Sequence, residues 1–169
     1  KLENRHQEQV ELIQNELFKW KQDPFSVPLS SKESHMMRPK TYKNRAPSLS
    51  THALNRVLSI DCERRVAWIE PYVTQEQLVE AVLPYGLVPP VVAEFKKITW
   101  GGAVMGSSLE SSSHRYGQLN DSVKSLELLL GDGTVKKVSS GELFWGISGS
   151  FGSLATLLSL EVPLIKAKK

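Results

Sequence analysis

The residues best suited to bind a ligand lie in a glycine- and serine-rich stretch in the middle of the chain. Residues 99–117 contain four glycines and five serines among nineteen residues, with little charge. Glycine lets a ligand approach the backbone closely because it has no Cβ atom. Successive exposed N–H groups then form a concavity for an anion, and serine hydroxyls add uncharged donors. The stretch therefore predicts a diphosphate site. A plain surface turn is less favoured, because Val104, Met105 and Leu109 are interleaved as in a buried segment.

A second glycine- and serine-rich stretch covers residues 143–155 and runs straight into the last predicted strand. Gly152 and Ser153 are expected to offer close backbone contact to a ligand. Phe144 and Trp145 are expected to be core residues, because an aromatic pair is more often part of a core than a cofactor-stacking surface.

The spacing of residues does not support other common sites. The chain contains no Gly-x-Gly-x-x-Gly fingerprint, no P-loop and no Gly-x-Ser-x-Gly nucleophile motif. Its four histidines are widely spread and it has one cysteine, Cys62, so neither a metal site nor an internal disulfide is predicted. No catalytic residue is assigned.

Length and composition are those of one globular domain: 169 residues, 40% hydrophobic and 23% charged. The net charge of +3 arises in residues 1–65, which hold 12 basic and 8 acidic residues. A nucleic-acid partner is not predicted, because no helix carries a basic stripe. A basic loop over residues 32–45 fits an anionic ligand as well as it fits plain solvation. Cysteine usage favours a reduced compartment, the cytosol or the cytosolic face of a membrane. The first residue is not Met, so the sequence leaves open whether the chain is a fragment.

Hydrophobic periodicity predicts an amphipathic helix over residues 2–22, with Val10, Ile13, Leu17 and Trp20 forming a docking face. A short strand is predicted at residues 25–29 and a long polar loop at residues 30–50. Strands follow at residues 56–60 and 66–70, and Thr74 with Gln77 forms a capping box for the next helix.

The remaining elements favour antiparallel pairing. Strands at residues 126–130 and 135–138 flank an Asp-Gly turn, which is a strong hairpin signal. A short helix and a strand over residues 158–164 follow, with Pro163 near its far end. Because strands and helices do not alternate regularly, the predicted fold class is α+β with mostly antiparallel sheets.

The two glycine- and serine-rich stretches also carry a family resemblance. Thr-Trp-Gly-Gly at residues 99–102, Tyr116-Gly117, Asp132-Gly133 and Leu-Phe-Trp at residues 143–145 resemble the FAD-binding domain of the vanillyl-alcohol-oxidase (PCMH) type. Within that family the chain is most similar to the delta-24 sterol reductase (Diminuto) group. The specific residues are Glu-Pro-Tyr-Val-Thr at 70–74, Glu94, Arg38-Pro39, and Glu-Ser-Ser-Ser-His-Arg-Tyr-Gly at 110–117.

The resemblance implies a two-lobed FAD-binding domain. An N-terminal helix would cover residues 1–24, a small lobe residues 25–92 and a larger lobe residues 93–169. Family enzymes continue into a substrate domain, which is absent from the sequence. The resemblance implies FAD as cofactor, with NADPH as a candidate electron donor and a sterol or other small molecule as substrate through the absent domain. Membrane proximity of the longer protein and a homo-oligomer are further candidates.

The cofactor-binding residues implied by the resemblance lie in three segments. They are Ser34, His35, Arg38, Thr99, Gly101, Gly102, Met105, Gly106, Ser107, Glu110, Ser111, Ser112, Ser113, His114, Tyr116, Gly117, Gly152, Ser153, Leu154 and Ala155. His35 is expected to be a polar loop residue rather than a covalent flavin anchor, and His114 to make structural hydrogen bonds. Substituting Gly101 or Gly102 with a bulky residue is expected to weaken FAD binding.

The implied function is the FAD-binding part of a sterol-reductase-like oxidoreductase, which passes hydride from a nicotinamide through flavin to a carbon–carbon double bond. Two alternatives stay open: a flavin oxidase or dehydrogenase of a small hydroxy acid or sugar, and a degenerate non-catalytic module. The second is motivated by Ser108 and Ala155, which stand where the group usually has glycines, and by the absent domain. The sterol reductase group usually has an acidic pair shortly before the threonine of the Thr-x-Gly-Gly segment, where this chain has Lys96-Lys97.

Overall fold

The structure, a computed structural model, describes residues 2–20 and 49–168. The helices are α1 (Leu2–Trp20), α2 (Gln75–Val82), α3 (Trp100–Met105), α4 (Ser113–Tyr116) and α5 (Gly141–Gly146). The strands are β1 (Val57–Asp61), β2 (Val66–Ile69), β3 (Leu87–Val88), β4 (Ser125–Leu130), β5 (Val135–Val138), β6 (Ala155–Pro163) and β7 (Ile165–Lys166). Short 3₁₀ turns lie at Leu83–Tyr85 and Asn120–Ser122. The predicted strand at residues 25–29 lies outside the described residues.

A five-stranded sheet with the order β1-β2-β6-β4-β5 forms the centre of the molecule, and β3 pairs with β7 in a small second sheet. Every strand pairing is antiparallel, which confirms the predicted fold class. The large sheet combines strands from both sides of the predicted lobe boundary at residues 92 and 93. That boundary itself stays a prediction.

The large sheet is covered on both faces. On one face, Leu126, Leu128 and Leu160 belong to the main core together with Leu78 of α2 and Trp100 of α3. On the other face, α1 packs over the sheet. Burial on both sides explains why residues 157–160 of β6 are all buried instead of alternating.

The predicted docking face of α1 is confirmed for three of its four residues. Val10, Ile13 and Leu17 are buried and pack with Leu129 and Leu158 of the sheet. The side chain of Trp20 lies outside the described part of the chain. The apolar residues of α1 therefore hold one side of the helix against the sheet, as their spacing predicts.

A buried histidine fixes the N-terminal part of α1 to the sheet. His6 Nδ1 lies 2.8 Å from Glu70 Oε1, and His6 Nε2 lies 2.9 Å from Glu127 Oε2. Glu70 also accepts from the backbone amide of Arg56, and Glu127 accepts from the Ser159 hydroxyl. One imidazolium thus joins two carboxylates that are themselves held by the sheet.

The electrostatics of this cluster favour a charged histidine. Burial lowers the pKa of His6, but the hydrogen bonds and charges of Glu127 and Glu70 outweigh burial and raise it to about 9. The hydrogen bond from His6 lowers the pKa of the Glu127 carboxyl. Both ring nitrogens therefore carry protons at neutral pH and both donate.

The capping box and the hairpin predicted from the sequence are both present in the structure. Thr74 begins α2 by accepting from the Gln77 amide, while the Gln77 side chain accepts from the Thr74 amide, so the capping box is confirmed. The hairpin of β4 and β5 is confirmed, with Leu129 opposite Val135. Within the described residues, no helix has the length and apolar character needed to cross a membrane.

Replacing His6 with alanine should destabilise the fold strongly. The substitution leaves Glu70, whose side chain is fully buried, and Glu127, whose side chain is 25% exposed, without their shared cation. We expect a loss of about 3 kcal/mol in the free energy of unfolding, the low end for breaking a buried ion pair, because Glu127 keeps some solvent. Urea unfolding measures the loss. Asn15→Ala on the exposed side of α1 is the matched control, and an equal effect of both substitutions would contradict the ion-pair role.

Stability should also depend on pH through His6. Because the folded pKa of about 9 lies above the usual 6.5, the stabilisation is complete below pH 6.5 and is lost as the pH rises through 9. On the acid side, the lowered pKa of Glu127 predicts a loss as the pH falls below its usual 4.5. Melting temperatures of the parent and of His6→Ala should therefore differ most between these limits. A difference that stays constant to well above pH 9 would disprove the linkage.

Candidate functional site

The first glycine- and serine-rich stretch begins with a helix cap. Thr99 has extended backbone angles, and its hydroxyl accepts from the Gly102 amide at 3.2 Å. Thr99 also bridges to Thr74, the cap residue of α2. The neighbouring Trp100 is fully buried. Thr99 therefore positions α3 against the α2 cap, which places the rest of the stretch.

The backbone amides of this first segment are used within the protein. Those of residues 100–103 and 106–108 each donate to a protein oxygen, for example Trp100 to the Val73 carbonyl and Gly101 to the Pro71 carbonyl, both at 2.8 Å. The expected row of free N–H groups is therefore not present between residues 100 and 108. The reason is that the segment folds into α3 and its C-terminal turn, whose bonds occupy those donors.

The two adjacent glycines of α3 have different surroundings. A Cβ atom on Gly101 would lie 2.6 Å from Pro71 Cβ, so Gly101 is needed where the helix meets the chain after β2. Gly102 is exposed, and a Cβ there would meet only the Thr99 hydroxyl, at 3.0 Å. Gly101 thus serves the packing of the fold, while Gly102 leaves an open surface that a ligand can approach.

The structure brings the two glycine- and serine-rich stretches together. The hydroxyls of Ser107 and Ser148 are 2.5 Å apart, and the Gly149 amide donates to the Met105 carbonyl at 2.9 Å. We call these four residues the junction. Its polar side-chain groups are the two serine hydroxyls, which are uncharged, so the two segments meet at a neutral surface.

Residues 110–117 fold around local hydrogen bonds. The Ser113 hydroxyl accepts from the Glu110 amide, the Ser112 hydroxyl donates to the Pro90 carbonyl, and His114 Nδ1 donates to the Ser111 carbonyl at 2.8 Å. The last contact agrees with the expected structural role of His114, whose side chain is otherwise exposed. The run is therefore a preformed turn followed by α4.

An open pocket of about 470 Å³ lies beside this turn. Its lining residues come from the turn, α4 and the following loop: Leu109, Glu110, Ser111, Ser113, His114, Gly117, Gln118 and Asp121. The Asp121 carboxylate accepts from the amide of Gln118 and from the side chain of Asn120. Within the described part of the chain, the Leu109 and Ser111 amides donate to no protein acceptor. The pocket therefore combines free backbone donors with carboxylate acceptors.

Other predicted site residues are placed differently. Met105 and Ala155 are buried in the main core, so their side chains are not open to a ligand. Gly152, Ser153 and Leu154 lie on the surface turn that precedes β6. Tyr116 is half-buried and packs against the core. Ser34, His35 and Arg38 lie outside the described residues.

Two burial predictions are wrong. Leu109 is 69% exposed and Trp145 is 57% exposed, whereas Phe144 is buried as expected. Leu109 lies in the irregular segment after α3, and Trp145 lies on the exposed side of α5, next to the buried Phe144. Pro71 belongs to the Glu-Pro-Tyr-Val-Thr motif at 70–74, but its contact with Gly101 was not predicted, and neither was the contact of Ser148 with Ser107. Both contacts join segments that are far apart in sequence, so local patterns do not reveal them.

The profile of a protein family described as "FAD binding domain" matches residues 17–139 of the chain. The chain belongs to this FAD-binding domain family. Its cofactor is FAD, and it is a PCMH-type domain similar to the sterol reductases. The residues present fit that cofactor, because hydroxyls and free amides next to an uncharged junction suit a diphosphate.

Known relatives of this FAD-binding domain include the Delta(24)-sterol reductase of Pisum sativum, which is 32% identical over 99% of the chain. A second is the decaprenylphosphoryl-beta-D-ribose oxidase of Mycolicibacterium smegmatis, 32% identical over 66% of the chain. The chain spans 31% of the first relative and 25% of the second.

A solved structure, BBE-like protein 28 from Arabidopsis thaliana, superimposes on the FAD-binding domain with a TM-score of 0.81. The match covers 94% of this chain and 34% of that chain at 18% identity. At this level of identity the likeness supports the fold, which agrees with the predicted PCMH architecture.

Gly101→Ala should test the packing role of that residue in the FAD-binding domain. Because the added methyl group meets Pro71, we expect the free energy of unfolding to fall by about 1–3 kcal/mol, as in other overpacked sites. Gly131→Ala is the control, since a Cβ at Gly131 has no neighbour within 4 Å. Chemical denaturation of the protein without added flavin measures both. If the free energy of unfolding falls no more than in the control, Pro71 can move away from the added methyl group at little cost, and the packing role of Gly101 is contradicted.

Proposed function

We propose that the chain is the FAD-binding part of a sterol-reductase-like flavin oxidoreductase. The observation that carries this proposal is the similarity to the Delta(24)-sterol reductase of Pisum sativum, which extends over 99% of the chain. That relative's name describes reduction of a sterol double bond, and we transfer this class of reaction to the present chain as a proposal. Its substrate would be a sterol or another small molecule bound outside the present chain.

When bound, FAD would supply the hydride relay between a nicotinamide donor and a carbon–carbon double bond. The protein's part is to bind and orient the cofactor. We assign the diphosphate to the surface between the junction and Gly102, where hydroxyls of Ser107 and Ser148 are present and no carboxylate takes part in the contacts. The amide of Gly152, which has no protein acceptor in the described part of the chain, adds a donor beside it.

The pocket beside α4 suits a different part of the cofactor. Glu110 and Asp121 line it, and two carboxylates repel a phosphate but accept hydrogen bonds from hydroxyl or ring N–H groups. We therefore assign this pocket to a sugar or ring end of FAD. The turn at residues 152–155 would lie along the flavin or its ribityl chain.

Several further assignments belong to the same proposal. Ser34, His35 and Arg38, which lie between α1 and β1 in the sequence, would contact the diphosphate. The division into lobes at residues 25–92 and 93–169 would place the cofactor between them. NADPH is the proposed electron donor, and the substrate would be bound by a domain that the relatives' additional length can accommodate.

A second candidate function rests on a separate observation. The oxidase of decaprenylphosphoryl-beta-D-ribose shares 32% identity with two thirds of the chain, which favours oxidation of a hydroxyl on a sugar derivative. The two functions differ in the direction of electron flow. A reductase accepts hydride from NADPH, whereas an oxidase takes it from the hydroxyl-bearing substrate.

Binding of FAD by the chain itself is the first test. After incubation with FAD and gel filtration, we expect flavin absorption to co-elute with the parent protein and with Gly131→Ala. Gly102→Ala should bind FAD about tenfold or more weakly, because the methyl group occupies the open surface of α3. Alanine has a higher helix propensity than glycine, so we expect the Gly102→Ala variant to unfold at the same free energy as the parent or a higher one. A parent protein that retains no flavin would favour the non-catalytic alternative, and unchanged binding by Gly102→Ala would remove Gly102 from the site.

The electron donor distinguishes the two candidate functions. We expect anaerobic NADPH to bleach the visible flavin band of the reconstituted protein. Bleaching by a sugar hydroxyl compound and not by NADPH would favour the oxidase. Heat-denatured protein with the same amount of FAD is the control, because free flavin reacts with NADPH only slowly.

A further inference from the structure

Phe151 adopts a conformation that an ordinary surface residue avoids. Its φ of 49° lies in the left-handed region, which disfavours side chains larger than glycine. The side chain is also 53% exposed, so an aromatic ring faces solvent. Gly149 and Gly152, on either side of it, have positive φ as well, with values of 76° and 87°. Glycine would suit the backbone conformation at position 151 better than phenylalanine does.

The position of the ring relates it to the cofactor surface. A Cβ atom built on Gly106 would lie 3.5 Å from Phe151 Cε1, so the ring borders the end of α3. On one side lies the junction, where Ser107 contacts Ser148 and Gly149 contacts Met105. Phe151 is thus an exposed aromatic ring at the point where the two cofactor-binding stretches meet.

Backbone strain opposes folding, and strained residues cluster at ligand sites in proteins. A planar ring presented at the surface offers a face for stacking, which costs little side-chain entropy because phenylalanine has two rotatable bonds. FAD contains two planar aromatic systems, the isoalloxazine and the adenine, and either has the flat face that such a ring recognises.

We propose that Phe151 is a cofactor-binding residue whose ring stacks on one of the two planar ring systems of FAD. The inference rests on the proposed cofactor surface and adds to it a residue outside the glycine and serine set. The turn at residues 149–152 holds this ring outward at the cost of a strained backbone. The fold then presents the ring before FAD arrives, so that binding does not have to order it.

The test is a series of substitutions at position 151 in the full chain. FAD affinity, measured by quenching of flavin fluorescence, should be close to that of the parent for Phe151→Tyr and weaker for Phe151→Leu. It should be weakest for Phe151→Gly, roughly 5- to 100-fold below the parent, as expected for loss of one aromatic stack. The melting temperature of flavin-free Phe151→Gly should stay within about 3 °C of the parent, because relief of backbone strain offsets the lost contact. Near-ultraviolet and visible circular dichroism of the bound flavin provides a second readout.

Binding of FMN and of ADP, which each contain one of the two ring systems, decides which ring of FAD stacks on Phe151. If Phe151→Gly weakens binding of FMN and not of ADP, the ring stacks on the isoalloxazine; the reverse result assigns the adenine. FAD affinity within twofold of the parent for Phe151→Gly would overturn the inference while leaving the FAD-binding function intact. A parallel fall in melting temperature and affinity would also overturn it, since that pattern marks a structural residue. A parent protein that binds no FAD would remove both the inference and the proposed function.

Discussion

Antiparallel pairing of β6 between β2 and β4 is the interaction on which the rest of the structure depends. It joins Ile69 to Leu160 and Leu126 to Leu160, so one residue of β6 connects segments that are far apart in sequence. Because β6 begins at Ala155, the strand also fixes the turn that precedes it. That turn then reaches α3 through the Gly149 amide and the Met105 carbonyl. Without β6, nothing in the sheet would hold the two glycine- and serine-rich stretches next to each other.

The two faces of the sheet have separate tasks. The face covered by α1 contains the charged cluster of His6, Glu70 and Glu127, where buried ions demand close pairing. The opposite face supports α3, and the surface beyond it presents hydroxyls and amides. The charged cluster that stabilises the fold and the surface proposed for the cofactor therefore lie on opposite sides of the sheet and differ in chemistry.

The surface proposed to bind the cofactor is largely built from preformed parts. Thr99 caps α3, the hydroxyls of Ser112 and Ser113 stabilise the turn before α4, and Asp121 holds the loop after it. Groups already engaged in this way position the backbone, and the remaining free amides are the ones available to a ligand. The same logic separates Gly101, which contacts Pro71, from Gly102, which is open. These two neighbouring glycines therefore differ in role because their surroundings differ.

The sequence by itself determined the features that depend on residues a few positions apart. These are the Thr74 capping box, the hairpin of β4 and β5, the apolar side of α1, and the motifs that mark an FAD-binding domain. Tertiary structure alone decided the contacts between distant segments: the His6 cluster, the Ser107–Ser148 contact and the exposure of Leu109 and Trp145. The physical reason is range, because helix caps and turns are made by neighbouring residues, whereas burial and pairing depend on which distant segments the sheet places side by side.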